Sequence, residues 1–330
     1  MKKILVIQTA SIGDVILATP VLEAINRYDG NTHIDLLVKK GMEELFIRHP
    51  FLHRVFVWDK SSQKFGNLCR LVKTFKREHY DLVINLQRFL SSGIITVFSG
   101  AKHTIGFDKN PLSCCFSERK KHIIGQQHET QRNLGLLEGL GIKNNDIRPR
   151  LYPGEEDFSR VETYKQGNYI TLSPSSLWFT KTYPEERWQE FISLVPQTYT
   201  IYLLGGKSDH ILCERLARHS QGDHVVNLAG QLSLLASAAL MKDAAMNYVN
   251  DSAPLHLCSA VNAKVTSVFC STVPAFGFGP LSEESHIVES PTPLPCRPCG
   301  LHGHKACPKQ HFLCGYNIQP DFLLKTLVKN

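Results

Sequence analysis

Short apolar runs with strand character recur along this chain, and polar turns followed by helical stretches separate them. That alternation permits few folds, because parallel strands need a crossover between them and the crossover is usually a helix lying on a sheet face. In the first half the runs cover residues 3–8, 33–38, 54–58, 81–87 and 103–107. The second half restarts the rhythm at 169–173, 200–204, 225–228, 245–249 and 264–269. The runs are nearly continuous in apolarity, as expected of strands covered on both faces. The expectation is an α/β chain of two doubly wound, Rossmann-like domains facing one another across a cleft. The repetition is one of architecture, with no evident repeat in sequence.

Residues 14–27 carry Val15, Leu17, Ala18, Val21, Leu22 and Ile25 at one-sided helical spacing, which predicts the first crossover helix. A further helix is predicted over 128–140, stopped by Gly139 and Gly141. The polar, proline-bearing stretch K-N-N-D-I-R-P-R-L-Y-P-G follows, and the domain boundary is placed there, giving domains 1–150 and 151–330. The second carries a cysteine-rich tail and a final helix. A chain of 330 residues is long enough for two cores.

Composition excludes some classes. Hydrophobic content of 42% and charged content of 20% are ordinary for a globular protein, and no apolar run approaches the roughly 20 residues of a spanning helix. Lys2 and Lys3 precede only four apolar residues before Gln8, unlike a signal peptide, so the expected location is cytoplasmic. A formal charge of +7 favours acidic partners. Basic residues recur over 70–77 and at Arg119, Lys120 and Lys121, and the first group reads as a solvated helix face. No aromatic platform accompanies either group, which argues against a nucleic-acid partner.

Ligands of such sheets collect at the carboxyl ends of strands, so the loops there carry the chemistry. The first reads T-A-S-I-G-D, where Gly13 permits a tight turn and Asp14 opens a helix or serves as a general base. The second, S-P-S-S-L-W-F-T-K-T-Y-P-E-E-R-W, offers Ser175 and Ser176 hydroxyls and the Lys181 ammonium to an anion. The third, G-G-K-S-D, allows close backbone approach, and its Asp209 can accept from a ribose. The fourth, Y-V-N-D-S-A-P-L-H, ends a strand and starts a helix that Asp251 and Ser252 can cap, with Pro254 in its first turn. Free N–H groups there suit a phosphate. Neither G-x-x-x-x-G-K-[ST] nor G-x-G-x-x-G is present, against a Walker-type nucleotidase or a dinucleotide-dependent dehydrogenase.

T-A-S-I-G-D-V-I-L-A-T-P, W-x-x-K-x-Y-P-E-E-R-W and V-N-D-S-A-P-L-H, in that order, resemble the ADP-heptose:lipopolysaccharide heptosyltransferase family, glycosyltransferase family 9. The resemblance spans residue 2 to about residue 320 and implies a GT-B fold, the C-terminal domain holding an ADP-sugar donor and the N-terminal domain presenting a lipid-linked oligosaccharide acceptor. It implies Asp14 as catalytic base, Lys181 on the donor phosphates and Asp251 near the donor sugar. Ser252, Ala253 and His256 fall in the diphosphate-holding motif, Ser175 and Ser176 at phosphate-contacting hydroxyls, and Ser11 and Gly13 on the acceptor or phosphate side. Ala253 stands where glycine is usual, and Asp209 is offered for the ribose without a firm alignment. The implied reaction is a single inverting displacement that needs no cofactor. A membrane-linked acceptor implies peripheral contact with the inner face of the inner membrane through the basic groups. A nucleotide-sugar epimerase of similar two-domain fold and a non-catalytic nucleotide-sugar binding protein are the alternatives.

Of the ten cysteines, six are scattered in mostly apolar surroundings and read as small core residues. Cys296, Cys299, Cys307 and Cys314 instead cluster in the tail with three histidines between them, which suggests a structural zinc site or a reduced thiol cluster.

Overall fold

The structure, a computed structural model, describes residues 2–61, 63–142, 146–220 and 222–328. It divides into two compact units, Met1–Tyr152 and Pro153–Asn330. The polar stretch expected to mark the boundary begins at Lys143, Asn144 and Asn145, which lie outside the described residues.

The first unit holds strands β1 (Lys3–Ile7), β2 (His33–Lys39), β3 (Leu52–Trp58), β4 (Leu82–Asn85), β5 (His103–Phe107) and β6 (Glu118–Lys120). They form one parallel sheet in the order β3-β2-β1-β4-β5-β6. Leu5, Ile7, Leu37, Trp58, Phe75, Tyr80, Val83 and Ile95 close a core on this sheet. The one buried carboxylate in β2, Asp35, is satisfied by the Tyr80 hydroxyl at 2.6 Å and by His53 and Arg54 from the neighbouring strand.

The second unit holds β7 (Asn168–Ser173), β8 (Tyr199–Leu203), β9 (Val225–Asn227), β10 (Asn247–Asn250), β11 (Val265–Phe269) and β12 (Ser285–Glu289). Their order is β12-β11-β10-β7-β8-β9, again all parallel. Counted from the first strand of each unit, the two sheets share one doubly wound order, as the two-domain Rossmann-like expectation requires. The final helix Pro320–Val328 packs on this core through Leu323 and Leu327, and Tyr248 donates to the Leu323 carbonyl at 3.2 Å.

All ten expected strands are present, and the differences lie at the edges and in the helices. β6 and β12 went unread because E-R-K and S-H-I-V-E are half-exposed edge strands without an apolar run. Arg119 and Lys120 therefore stand on a sheet edge, with Lys120 paired to Glu118 at 2.7 Å. The predicted helix over 14–27 is two helices, Ile12–Ile16 and Thr19–Tyr28. Pro20 lacks an N–H and fits only a first turn, so the second helix starts afresh beside it. The predicted helix over 128–140 is α-helical over Glu129–Leu134 and tightens to 3-10 geometry over Gly135–Leu140. Lys64–Glu78 is the amphipathic helix expected for the basic group at 70–77, burying Leu68, Leu71 and Phe75 and exposing Arg70, Lys73, Lys76 and Arg77.

Candidate functional site

In each unit the strand order reverses between two adjacent strands, β1 and β4 in the first, β7 and β10 in the second. The connections leave in opposite directions there and open a crevice at the strands' carboxyl ends. Three of the four loops singled out in the sequence start at these strands.

In the second unit β7 and β10 run in register, Ser173 beside Val249, so the loops after them emerge together. Asn250, fully buried, joins them. Its amide nitrogen faces the carbonyls of Ser173, Pro174 and Ser175 at 2.9 to 3.4 Å, and its oxygen accepts from the Tyr183 N–H at 2.9 Å. The segment carrying Ser175, Ser176 and Lys181 is thereby fixed at both ends. Lys181 closes a short 3-10 turn, Phe179–Lys181, and its Nζ lies 2.7 Å from Asp251 Oδ2. The pair is poorly solvated, with side-chain exposures of 16% and 6%. Thr272, in the loop after β11, donates to the same carboxylate oxygen at 2.6 Å.

Asp251 and Ser252 do not cap the following helix, Ala253–Val261. Asp251 faces Lys181 instead, and the Ser252 hydroxyl donates back to the Asn250 carbonyl at 3.4 Å. No side chain caps this helix start, and Pro254 occupies its first turn as anticipated. An uncapped start keeps backbone N–H groups and the positive end of the helix dipole available to an anion. Ala253 is the first helical residue and is not left-handed, so alanine serves where glycine was anticipated. His256, 5% exposed, lies one turn on with its ring 6.5 Å from that of Phe278. Asp209 sits after β8, on the side of β7 away from β10, and its Oδ2 accepts from the Gly206 N–H at 2.8 Å, closing its own turn.

In the first unit Ser11 is the N-cap of Ile12–Ile16 and forms a reciprocal capping box with Asp14. Asp14 Oδ2 accepts from the Ser11 hydroxyl at 2.5 Å and from the Ser11 N–H at 3.1 Å. Gly13 lies inside this helical turn and is not among the left-handed residues, so the tight turn expected of it is absent. The fold adds residues the sequence reading missed. Lys60, after β3, donates to the Thr9 carbonyl at 2.8 Å and hydroxyl at 3.0 Å, holding the Asp14 loop. Burial, with Lys39 and Lys64 nearby, pushes its ammonium down to about 8. Burial raises the Glu129 carboxyl above its ordinary range, its partner Arg132 opposes this, and the charge of Asp14 adds to the rise. Its one sequence signal is the H-E-T-Q capping box at 128–131.

For the zinc site or reduced thiol cluster suggested by the tail's spacing, among the described residues no group of three or more His, Cys, Asp or Glu is arranged to hold a metal ion, while burial, with Cys299, Cys307 and Cys296 nearby, raises the Cys314 thiol. Cys314 is buried in the core beside Phe312, Cys307 packs against that core, and the Cys299 thiol donates to the Cys296 carbonyl at 2.9 Å. Among the described residues no helix is long and apolar enough to cross a membrane.

Comparison with known proteins matches the chain to one family. The profile of Glycosyltransferase family 9 (heptosyltransferase) matches residues 68–308. Lipopolysaccharide heptosyltransferase 1 of Pseudomonas aeruginosa is 25% identical over 313 residues, 90% of this chain and 86% of that protein. Lipopolysaccharide heptosyltransferase 3 of Escherichia coli is 25% identical over 275 residues, 79% and 81% of the two chains. Among solved structures, E. coli ADP-heptose lps heptosyltransferase II superposes with a TM-score of 0.82 at 18% identity, covering 99% and 97%. An E. coli heptosyltransferase solved with ADP superposes with a TM-score of 0.72 at 22% identity, covering 87% and 93%.

Proposed function

This chain belongs to glycosyltransferase family 9, the heptosyltransferases, and we propose that it moves heptose from ADP-heptose to a lipopolysaccharide core acceptor with inversion at the anomeric carbon. The observation that carries the donor half is the convergence of Lys181, Asp251 and an uncapped helix start at the β7/β10 reversal. ADP in the solved E. coli relative supports the choice of nucleotide.

The chemistry follows from where charge develops. As the bond from the anomeric carbon to the diphosphate breaks, the sugar ring turns cationic and the leaving ADP gains negative charge. Lys181 and the N–H groups at the start of Ala253–Val261 stabilise that charge without a cofactor. Ser175 and Ser176 donate from the same loop as Lys181, and Asp251 turns from the Lys181 ammonium toward the donor sugar as the diphosphate arrives. Asp209 takes the ribose through Oδ1, because Oδ2 already accepts from the Gly206 N–H. In the first unit, which takes the acceptor, Asp14 is the general base for the attacking hydroxyl. Ser11 and Gly13 shape its turn, and the Ser11 box fixes one carboxylate oxygen while Oδ1 stays outside the box. The acceptor is lipid-linked, and the exposed cations of Lys64–Glu78 meet the anionic cytoplasmic leaflet.

The test uses two variants. Asp14→Ala abolishes transfer and keeps ADP binding, whereas Lys181→Ala weakens ADP binding or slows its departure. Full turnover by the first removes the base assignment, and unchanged kinetics in the second remove the lysine's role.

A further inference from the structure

The cysteine-rich tail has no part in the chemistry above, yet it packs directly on the turn that carries Lys181. The Thr180 N–H donates to the His304 carbonyl at 3.1 Å, and the His304 N–H donates back to Thr180 Oγ1 at 2.8 Å. The same Oγ1 accepts from the Ser271 hydroxyl at 3.0 Å, and the Ser271 N–H donates to the Thr180 carbonyl at 3.2 Å. Thr180 is 1% exposed, so one buried hydroxyl ties together the tail, the loop after β11 and the residue preceding Lys181.

Two further contacts extend the brace. Gly303 has a left-handed backbone, φ +76°, and a Cβ placed there would lie 2.9 Å from Lys181 Cγ, 3.0 Å from Thr180 Oγ1 and 3.2 Å from Trp178 Cβ. The lysine stem therefore runs along bare tail backbone and has lost its freedom to swing toward it. Arg297 donates to the carbonyls of Phe269, Cys270 and Thr272, fixing the loop from which Thr272 reaches Asp251.

We infer that the tail segment Arg297–His304 is a positioning brace for the donor site: through Thr180 and Gly303 it sets the direction of the Lys181 side chain, and through Arg297 that of its partner Asp251. The inference rests on the reading of Lys181 as the donor-phosphate contact. The brace touches neither substrate nor reacting atoms.

The experiment measures ADP affinity by calorimetry at a temperature well below unfolding, alongside the melting temperature, in the full chain. Gly303→Ala and Thr180→Val each weaken ADP binding about tenfold, equivalent to about 1.4 kcal/mol. Thr180→Ser, which keeps the accepting oxygen, binds ADP as the unaltered protein does, and so does Lys309→Ala at an exposed tail position. A tail that only supports the fold lowers the melting temperature of Gly303→Ala and Thr180→Val and leaves the affinity of the folded molecules unchanged. That result overturns the brace, provided Lys181→Met itself weakens ADP binding. If Lys181→Met binds ADP normally, the lysine's donor role fails and the brace falls with it.

Discussion

The Lys181–Asp251 pair allows the sharpest energetic test of the donor site. Its atoms are 2.7 Å apart, the carboxylate is 6% exposed, and Thr272 supplies a second donor to the same oxygen. Removing one member of a well-buried pair costs about 3–5 kcal/mol, because the other charge is left desolvated without its partner. Lys181 keeps 16% exposure and can draw in water, so the low end applies: about 3 kcal/mol for Asp251→Asn. Lys181→Met is the more damaging of the two, about 4 kcal/mol, because the deeper charge is the one stranded. The double variant removes both charges together and so loses less than the two single losses added, about 4–5 rather than about 7 kcal/mol. The cycle therefore predicts a coupling of about 2–3 kcal/mol. In a unit of this size each kcal/mol moves the melting temperature by about 2–4 °C. Scanning calorimetry, following the transition of the second unit in the four proteins at neutral pH, reads this directly. Additivity of the single losses to within about 0.5 kcal/mol rules out a coupled pair, since independent sites add to that tolerance.

Other outcomes follow from the same geometry. Asn250→Asp turns a donating nitrogen facing three carbonyls into an acceptor, and stability falls by about 3 kcal/mol or more with loss of ADP binding; a melting temperature like that of the unaltered protein contradicts the staple. His49 packs between Phe51 and Tyr152, and burial lowers its imidazole to about 4 from an ordinary value of 6.5. Below pH 6.5 the unfolded chain binds a proton that the folded chain refuses, so stability is lost as pH falls from 6.5 toward 4. His49→Phe removes on the order of 2–3 kcal/mol of that acid-side loss, read by urea denaturation across the window, and an unchanged pH slope counts against it.

What could be read in the sequence was what burial writes into it. Most of the ten strands showed because both of their faces are covered, which forces apolar residues at successive positions; the edge strands β3 and β9 are half-exposed and showed only through their valines and aromatics, R-V-F-V-W and V-V-N. β6 and β12 did not show, since an edge strand with one open side tolerates Glu118, Arg119 and Lys120 or His286 and Glu289. Pro20 was a visible signal that the first helix must restart, and it was outweighed by an apolar spacing that ran through the break. The helix start at Asp14 was legible because a cap is a local device, although the reciprocal partner Ser11, three positions before it, went unread. Asp251 was assigned to the same kind of device and belongs to another: its partners, Lys181 and Thr272, are 70 and 21 positions away in the chain. Asn250 gave no signal of its staple, since the carbonyls it holds lie 75 to 77 positions away, and Glu129 showed only as part of a local capping box, since the charge of Asp14 reaches it from a distant segment.

Transfer from ADP-heptose to a saccharide acceptor with Asp14 as base is read out by ADP release. The purified protein is given ADP-heptose with and without a lipopolysaccharide core acceptor, and ADP and the sugar products are followed together. ADP is released only when both are present, one heptose is joined to the acceptor per ADP, and Asp14→Asn releases none although it still binds ADP. Conversion of ADP-heptose to an isomer without any acceptor, or equal turnover by Asp14→Asn, contradicts transfer with Asp14 as base.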